Sequence, residues 1–217
     1  MKWVLMNNLD FLPSEFESLK DTDETIYWVG SPKLVPFLAQ GIPFLIFGLL
    51  WGAFDYFFFL QFALFGGFGG AGTFILIFML FHMFPFYGSI INMIRLVLVH
   101  KNTKYAYTSK RLMYRSGFLG IDVKIVDYDK IQNIEVNVGP LENMYKVGTV
   151  SVFCGEYTRG KNGTRSITSD FKAIEDPYGV FKAIKQVSLD IKTDMNFPNQ
   201  LRPEENPGYN TKYTPKE

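Results

Sequence analysis

The sequence predicts an α-helical transmembrane hairpin joined to a β-rich domain, a bent antiparallel sheet or open barrel that closes on one C-terminal α-helix. Three observations carry this reading. Between Lys33 and Arg95 the only acid or base, His82 aside, is Asp55. A glycine cluster, Gly66-Gly67-Phe68-Gly69-Gly70-Ala71-Gly72, divides that apolar stretch. After residue 102, short runs alternate apolar with polar residues between turn signals, and one apolar stripe at helical spacing follows.

The apolar stretch on a water-facing surface would aggregate, so it calls for lipid. A chain of 217 residues cannot bury it inside one soluble domain and fold the polar remainder around it. Net charge is +1, from 22 Lys+Arg against 21 Asp+Glu, which argues neither for a nucleic-acid binder nor for an acidic tail, and no nucleic-acid partner is expected. The single cysteine, Cys154, excludes an intrachain disulfide and a multi-cysteine metal site. Asn7, Asn8 and Asp10 interrupt the first apolar residues, so no secretory signal is expected.

Residues 1–33 form an acidic, partly amphipathic N-terminal segment, with two Lys against six Asp/Glu up to residue 32. Trp3, Val4, Leu5, Leu9 and Phe11 suit a lipid surface or packing against the later domain. Pro13 limits a single long helix. The hairpin occupies residues 34–99. Its first span, about 34–58, opens with 21 charge-free residues, 34–54; at helical rise these reach about 31 Å, the thickness of a bilayer's hydrocarbon. Pro36 fits a first helical turn and Pro43 predicts a kink. Trp51 and Tyr56 are interface anchors by type.

Residues 56–94 are a second charge-free run of 39. One straight helix of that length would reach about 58 Å, too long for one crossing. A glycine-rich turn at 61–72 therefore precedes a second span at about 73–99. The cluster itself fits a flexible loop or a re-entrant, closely packed element. The loop at 55–72 has no Lys or Arg, whereas Lys33, Arg95, Lys101, Lys104, Lys110 and Arg111 flank the spans. The positive-inside rule then places both termini of a multi-pass protein in the cytoplasm.

The β domain is expected at residues 102–191. Tyr105 and Tyr107, then Leu112 and Tyr114, read as two strands around Ser109-Lys110-Arg111. Val123 and Ile125 suggest a third. Ile134, Val136 and Val138 make a half-buried strand, and Val150, Val152 and Cys154 another. Gly160-Lys161-Asn162-Gly163 is a turn, with the returning strand from Arg165 to Thr168. The closing helix spans 177–191, with Asp176 as N-cap, Pro177 at its first position, and Val180, Ile184, Val187 and Ile191 beside Phe181 on one face. Residues 192–217, rich in Pro and Asn, are expected to be a disordered tail.

Several short strands and one C-terminal helix after two spans resemble the bacterial pleckstrin-homology-like (PH-like) membrane proteins, the YdbS-like group. Asp23-Glu24-Thr25-Ile26-Tyr27-Trp28-Val29-Gly30-Ser31-Pro32 is similar to that family's lead-in to its first span. Tyr107-Thr108-Ser109-Lys110-Arg111-Leu112 with Gly117 is similar to its first hairpin. Lys130-Ile131-Gln132-Asn133-Ile134 and Val147-Gly148-Thr149-Val150 are similar to its middle strands. Asn143 and Lys146 stand where the family often has Arg and Gly. The resemblance covers roughly residues 23–191 and implies a PH-like fold and an anchor rather than a mechanism.

No catalytic constellation, cofactor motif or metal-ligand spacing is visible, so no catalytic, cofactor-binding or metal residue is assigned. His82 lies inside a span and His100 at its exit, neither beside a recognisable nucleophile. The glycine cluster is not followed by the Lys-Ser/Thr of a phosphate loop. His82 reads first as a neutral side chain bonded to a neighbouring helix, second as a proton relay. Asp55 reads first as an interfacial carboxylate, second as a pore-lining group. Cys154 reads as a core residue.

The stronger signal is charge. From Arg95 to Lys130 eight Lys/Arg face three Asp, a balance of +5. Lys101, Lys104, Lys110, Arg111 and Arg115 are the candidate contacts to anionic lipid headgroups. The alternative is that they only set topology. The expected function is a non-catalytic, membrane-anchored scaffold or interaction module at the cytoplasmic face. Its partners would be membrane lipid and either copies of itself or another membrane protein. A small oligomeric channel or transport component built from the hairpin is the second reading, and an enzyme acting on lipid the third.

Overall fold

A computed structural model describes residues 12–65, 72–160 and 163–196. The expectations for Trp3 to Phe11, for the glycines at 66–71, for Lys161-Asn162 and for the tail from 197 lie outside the described residues. Phe37–Lys101 forms one compact unit; the described residues on either side of it, up to Pro36 and from Asn102, form the other.

The second unit is a β domain of seven strands among the described residues. Its first sheet has the order β1-β2-β3-β4, all antiparallel: β1 (Ile26–Gly30), β2 (Lys104–Thr108), β3 (Arg111–Ser116) and β4 (Asp122–Asp127). Its second has the order β5-β6-β7: β5 (Asn133–Asn137), β6 (Val147–Gly160) and β7 (Gly163–Glu175). The hairpin around Ser109-Lys110 stands where the turn signals put it, and Gly160 pairs with Gly163 at the ends of β6 and β7. Gly155, at φ 80°, sits where β6 shifts register between Phe153 and Tyr157; a Cβ there would lie 2.5 Å from the Gln132 amide.

One strand was not expected. The N-terminal segment is not a separate entry piece: Ile26–Gly30 adds β1 to the first sheet, with Val29 opposite Ala106 and Gly30 opposite Tyr105. The hairpin is thus inserted between two neighbouring strands of one sheet. A short helix, α1 (Ser14–Leu19), precedes β1 and buries Phe16 completely with Val29, Ala106 and Met113. This covers the face of β2 and β3 opposite the main core, so the two central strands are buried on both faces rather than one.

The main core is aromatic. Phe171 of β7 stacks on Tyr105 at 4.9 Å and packs on Tyr114 at 4.7 Å. Trp28 stacks between Tyr107 and Phe171, 5.8 Å from each, and so joins the two sheets. The buried phenols find acceptors: Tyr128 donates to the Thr108 carbonyl at 2.8 Å and Tyr114 to that of Ser169 at 3.2 Å. Helix α7 (Pro177–Asn196) closes the core with Val180, Ile184 and Ile191, five residues longer than its apolar stripe required. Asp176 caps it as expected, accepting from the Gly179 N–H at 3.0 Å. A five-residue helix between β5 and β6, α6 after its order in the chain (Pro140–Met144), was also unexpected.

The first unit is helical. A short helix, α2 (Leu34–Leu38), passes through a 3-10 turn, Ala39–Gly41, into α3 (Ile42–Phe65). The bend expected at Pro43 therefore falls just before it. After the undescribed stretch come α4 (Gly72–His82) and α5 (Phe84–Asn102). Leu34–Gln61 and Thr73–Asn102 are each long and apolar enough to cross a membrane. They expose large apolar side chains, Leu50 at 68%, Phe54 at 62%, Phe74 at 74% and Phe81 at 73% among them.

Close approach of α3 to α5 depends on glycines one turn apart. A Cβ on Gly48 would lie 2.2 Å from Ser89 Oγ and 2.8 Å from the Pro85 carbonyl, and one on Gly52 2.6 Å from the Phe86 ring. This is the small-residue spacing that brings helix backbones together.

Candidate functional site

The five cations expected to face lipid fall into two groups. Lys101 is exposed in the last turn of α5, where a cation suits the carbonyl end of a helix. Lys104 is half-buried at the start of β2, opposite Arg115. Among the described residues neither has a carboxylate within ion-pair distance. The other three meet the acidic N-terminal segment. Lys110 Nζ lies 3.0 Å from Asp21 and 2.7 Å from Asp23, and Arg111 lies 2.7 Å from Asp21 and 3.3 Å from Glu24. Arg115 reaches Glu15 at 3.2 Å and donates to the Asn102 carbonyl at 2.8 Å.

Hydrogen bonds from Lys110 to Asp23 and Asp21 raise the ammonium pKa. The Glu15 carboxyl is held below its ordinary range, by a backbone N–H first and Arg115 second. The sequence showed an acidic segment and a basic collar; it did not show that one lies on the other.

A second polar cluster sits in the helical unit. Asp55 of α3 is 2% exposed, and His82 Nδ1 at the end of α4 lies 3.0 Å from each of its carboxylate oxygens. Nδ1–H donating to the carboxylate satisfies both groups. The reading of His82 as bonded to a neighbouring helix matches this. The Asp55 side chain turns inward between helices.

Pro85 builds the cluster. Lacking an N–H, it breaks the hydrogen-bond ladder between α4 and α5. The Phe86 N–H bonds to Met83 at 3.0 Å rather than to His82, and the freed His82 carbonyl accepts from the Trp51 indole N–H at 2.9 Å. Trp51 and Phe78 flank the imidazole at 5.0 and 5.1 Å. A cleft of about 300 Å³ adjoins, lined by Asp55, Tyr56, Phe59, Met79, Met83 and Tyr87 among others.

In the β domain a cleft of about 230 Å³ opens between β4 and β7, lined by Tyr114, Asp122, Lys124, Thr168 and Asp170 among others. Among the described residues each of these strands pairs on one side only, so both are edge strands. Asp170 Oδ1 is buried and accepts no hydrogen bond among the described residues.

The model of the bacterial PH domain family matches residues 36–186, well over half of the 217 residues. The chain belongs to the bacterial PH domain family. The match runs through both apolar helices and the strands that follow, while β1 lies before it. Among solved structures, a DUF1696-family protein with a pleckstrin-homology domain from Shewanella loihica PV-4 is 11% identical, covers 84% of this chain and 99% of its own, and has a TM-score of 0.38. No curated protein matches the sequence. In this bacterial PH domain Cys154 packs at the margin of the core, as expected, and desolvation pushes its thiol pKa up, away from the thiolate that a nucleophile needs.

Proposed function

We propose that the protein is a non-catalytic interaction module anchored in the bacterial cytoplasmic membrane, with its PH-like domain at the inner face. The observation that carries this reading is the place of the hairpin. It leaves the domain after β1 and returns at β2, and the ends of those strands pair directly, Gly30 with Tyr105. Two crossings that start and finish at one end of one sheet return to the same side of a bilayer, which suits both termini in the cytoplasm. The basic residues at Lys33, Arg95, Lys101 and Lys104, and their absence between residues 55 and 72, support the same sidedness.

The interaction surface of this reading is the cleft between β4 and β7. Two free strand edges offer backbone donors and acceptors to an extended segment of a partner, a second copy or another membrane protein. The unpartnered Asp170 oxygen calls for a donor from it. Lys101 and Lys104 supply attraction to anionic lipid, roughly 1 kcal/mol for each basic side chain near the surface. The second reading, a channel or transport component, draws support from the buried Asp55–His82 pair and its cleft.

One set of measurements separates the two. The protein should remain in the membrane pellet after alkaline carbonate washing and be retained with a partner, or as an oligomer, by native mass spectrometry in detergent. Adding Asp170→Ala should weaken that association. A strict monomer with no retained partner counts against the module. Loss of a host phenotype in Asp55→Asn and His82→Leu, with association intact, favours the channel.

A further inference from the structure

We propose that the turn between β3 and β4, Gly117-Phe118-Leu119-Gly120-Ile121, is a wedge that inserts into the headgroup layer of the membrane beside the exit of α5. This rests on the reading of α5 as a membrane span.

The turn is a built feature. Gly117 has φ 151°, and a Cβ there would lie 2.0 Å from the Gly120 carbonyl oxygen, so the backbone closes only with glycine at that corner. Leu119 is 89% exposed, the most exposed large apolar residue among those described, and Phe118 and Ile121 flank it at 41% and 47%. In water three such side chains on one tip are unfavourable.

The same turn is tied to the end of α5. Asn102, the last residue of that helix, donates from its amide to the Gly117 carbonyl at 3.1 Å, and its own carbonyl accepts from Arg115 at 2.8 Å. The last apolar residue of α5 before His100 and Lys101 is Val99. From Val99 to Asn102 the helix rises only about 4.5 Å. The polar layer on each side of a bilayer's hydrocarbon is about 5–8 Å deep. Asn102 follows Lys101 directly, so the Gly117 corner of the turn is held one hydrogen bond away from the point where the chain leaves the span.

Charge fits that occupant. Lys101 and Lys104 bracket the Asn102 anchor, and Lys124 lies two residues beyond Asp122 on the outgoing strand. Arg115 is neutralised by Glu15. The balance at this end of the sheet is positive, as an anionic leaflet requires.

The test uses the full chain with Cys154→Ala, carrying one cysteine at a time through Leu119→Cys, Asp129→Cys or Phe81→Cys, each labelled with an environment-sensitive fluorophore. Asp129 is exposed beyond the far end of β4, about 20 Å along the strand from the turn. Phe81 is an exposed residue of α4. The protein is reconstituted in phosphatidylethanolamine–phosphatidylglycerol vesicles containing spin-labelled phosphatidylcholine, with the quencher either shallow or deep.

The label at position 119 should be blue-shifted and quenched several-fold more by the shallow spin label than the label at 129, with the label at 81 quenched by the deep one. Quenching at 81 without quenching at 119 overturns the wedge and leaves the anchor standing. A blue shift at 119 without quenching assigns the turn to a protein contact and also overturns the wedge. No quenching at 81 overturns the anchor, and the wedge with it.

Discussion

Glu24 is 3% exposed at the foot of β1 and serves three partners at once. The Thr108 hydroxyl donates to one carboxylate oxygen, Arg111 Nε lies 3.3 Å from that same oxygen, and the Asp21 N–H donates to the other at 3.1 Å. Asp21 and Asp23 hold Lys110 and Arg111 from outside, in water. The two kinds of contact differ in weight. Exposed pairs contribute about 0–1 kcal/mol, whereas leaving buried donors without an acceptor costs about 1–3 kcal/mol. Glu24→Ala should therefore lower stability by about 1–3 kcal/mol, while Asp21→Asn with Asp23→Asn should change it by less than about 1 kcal/mol. Denaturant titration checks both halves; equal destabilisation by the two variants would refute the distinction.

At the scale of elements, the strand β1 decides what a stable fragment must contain. Without it, the edge of β2 is unpaired, Trp28 leaves the stack on Tyr107 and Phe171, and Met113 and Ala106 lose Val29 and Phe16. Residues 102–196 alone should be destabilised by more than about 3 kcal/mol, the scale of losing one large core side chain. Residues 12–32 joined to 102–196 by a short Gly-Ser linker should recover a cooperative thermal transition, because Gly30 and Tyr105 are already neighbours. Equal midpoints for the two fragments would show that β1 is dispensable. This strand also marks where the sequence ceased to be legible. The strands after residue 102 announce themselves by alternation between nearby turns, and α7 by its stripe and its Asp176 cap. Ile26–Gly30 has no partner nearby in sequence, and its pairing is set by the Tyr105 to Thr108 strand on the far side of the hairpin. Asp55 and His82 were visible one by one; their contact depends on the break that Pro85 makes in the helix. Gly48 and Gly52 stood at a readable spacing, but only the neighbours Ser89 and Phe86 show what it is for.

At the scale of the whole molecule, the core that holds the two sheets together is rich in phenols that must stay neutral. Burial raises the pKa of Tyr105, Tyr114 and Tyr128 well above the ordinary value near 10, and pushes that of Tyr107 up to about 12, with Tyr27 adding to it. The sign of the consequence follows. Each folded-state value lies above the unfolded one, so the folded chain keeps protons that the unfolded chain gives up. The contribution to stability is whole below about pH 10 and falls as pH rises through the folded values. The PH-like domain should thus lose structure on the alkaline side of about pH 10. Because the four phenols share one core, they should ionise together with unfolding and not before it. Eight of the twelve tyrosines lie outside this core, so it is the last part of the tyrosinate absorbance rise, that of the four core phenols, that should coincide with the loss of far-ultraviolet ellipticity on the same sample. A phenol titration complete before the ellipticity moves would mean that the core admits water at these rings, and the aromatic stack would then not be the joint between the sheets.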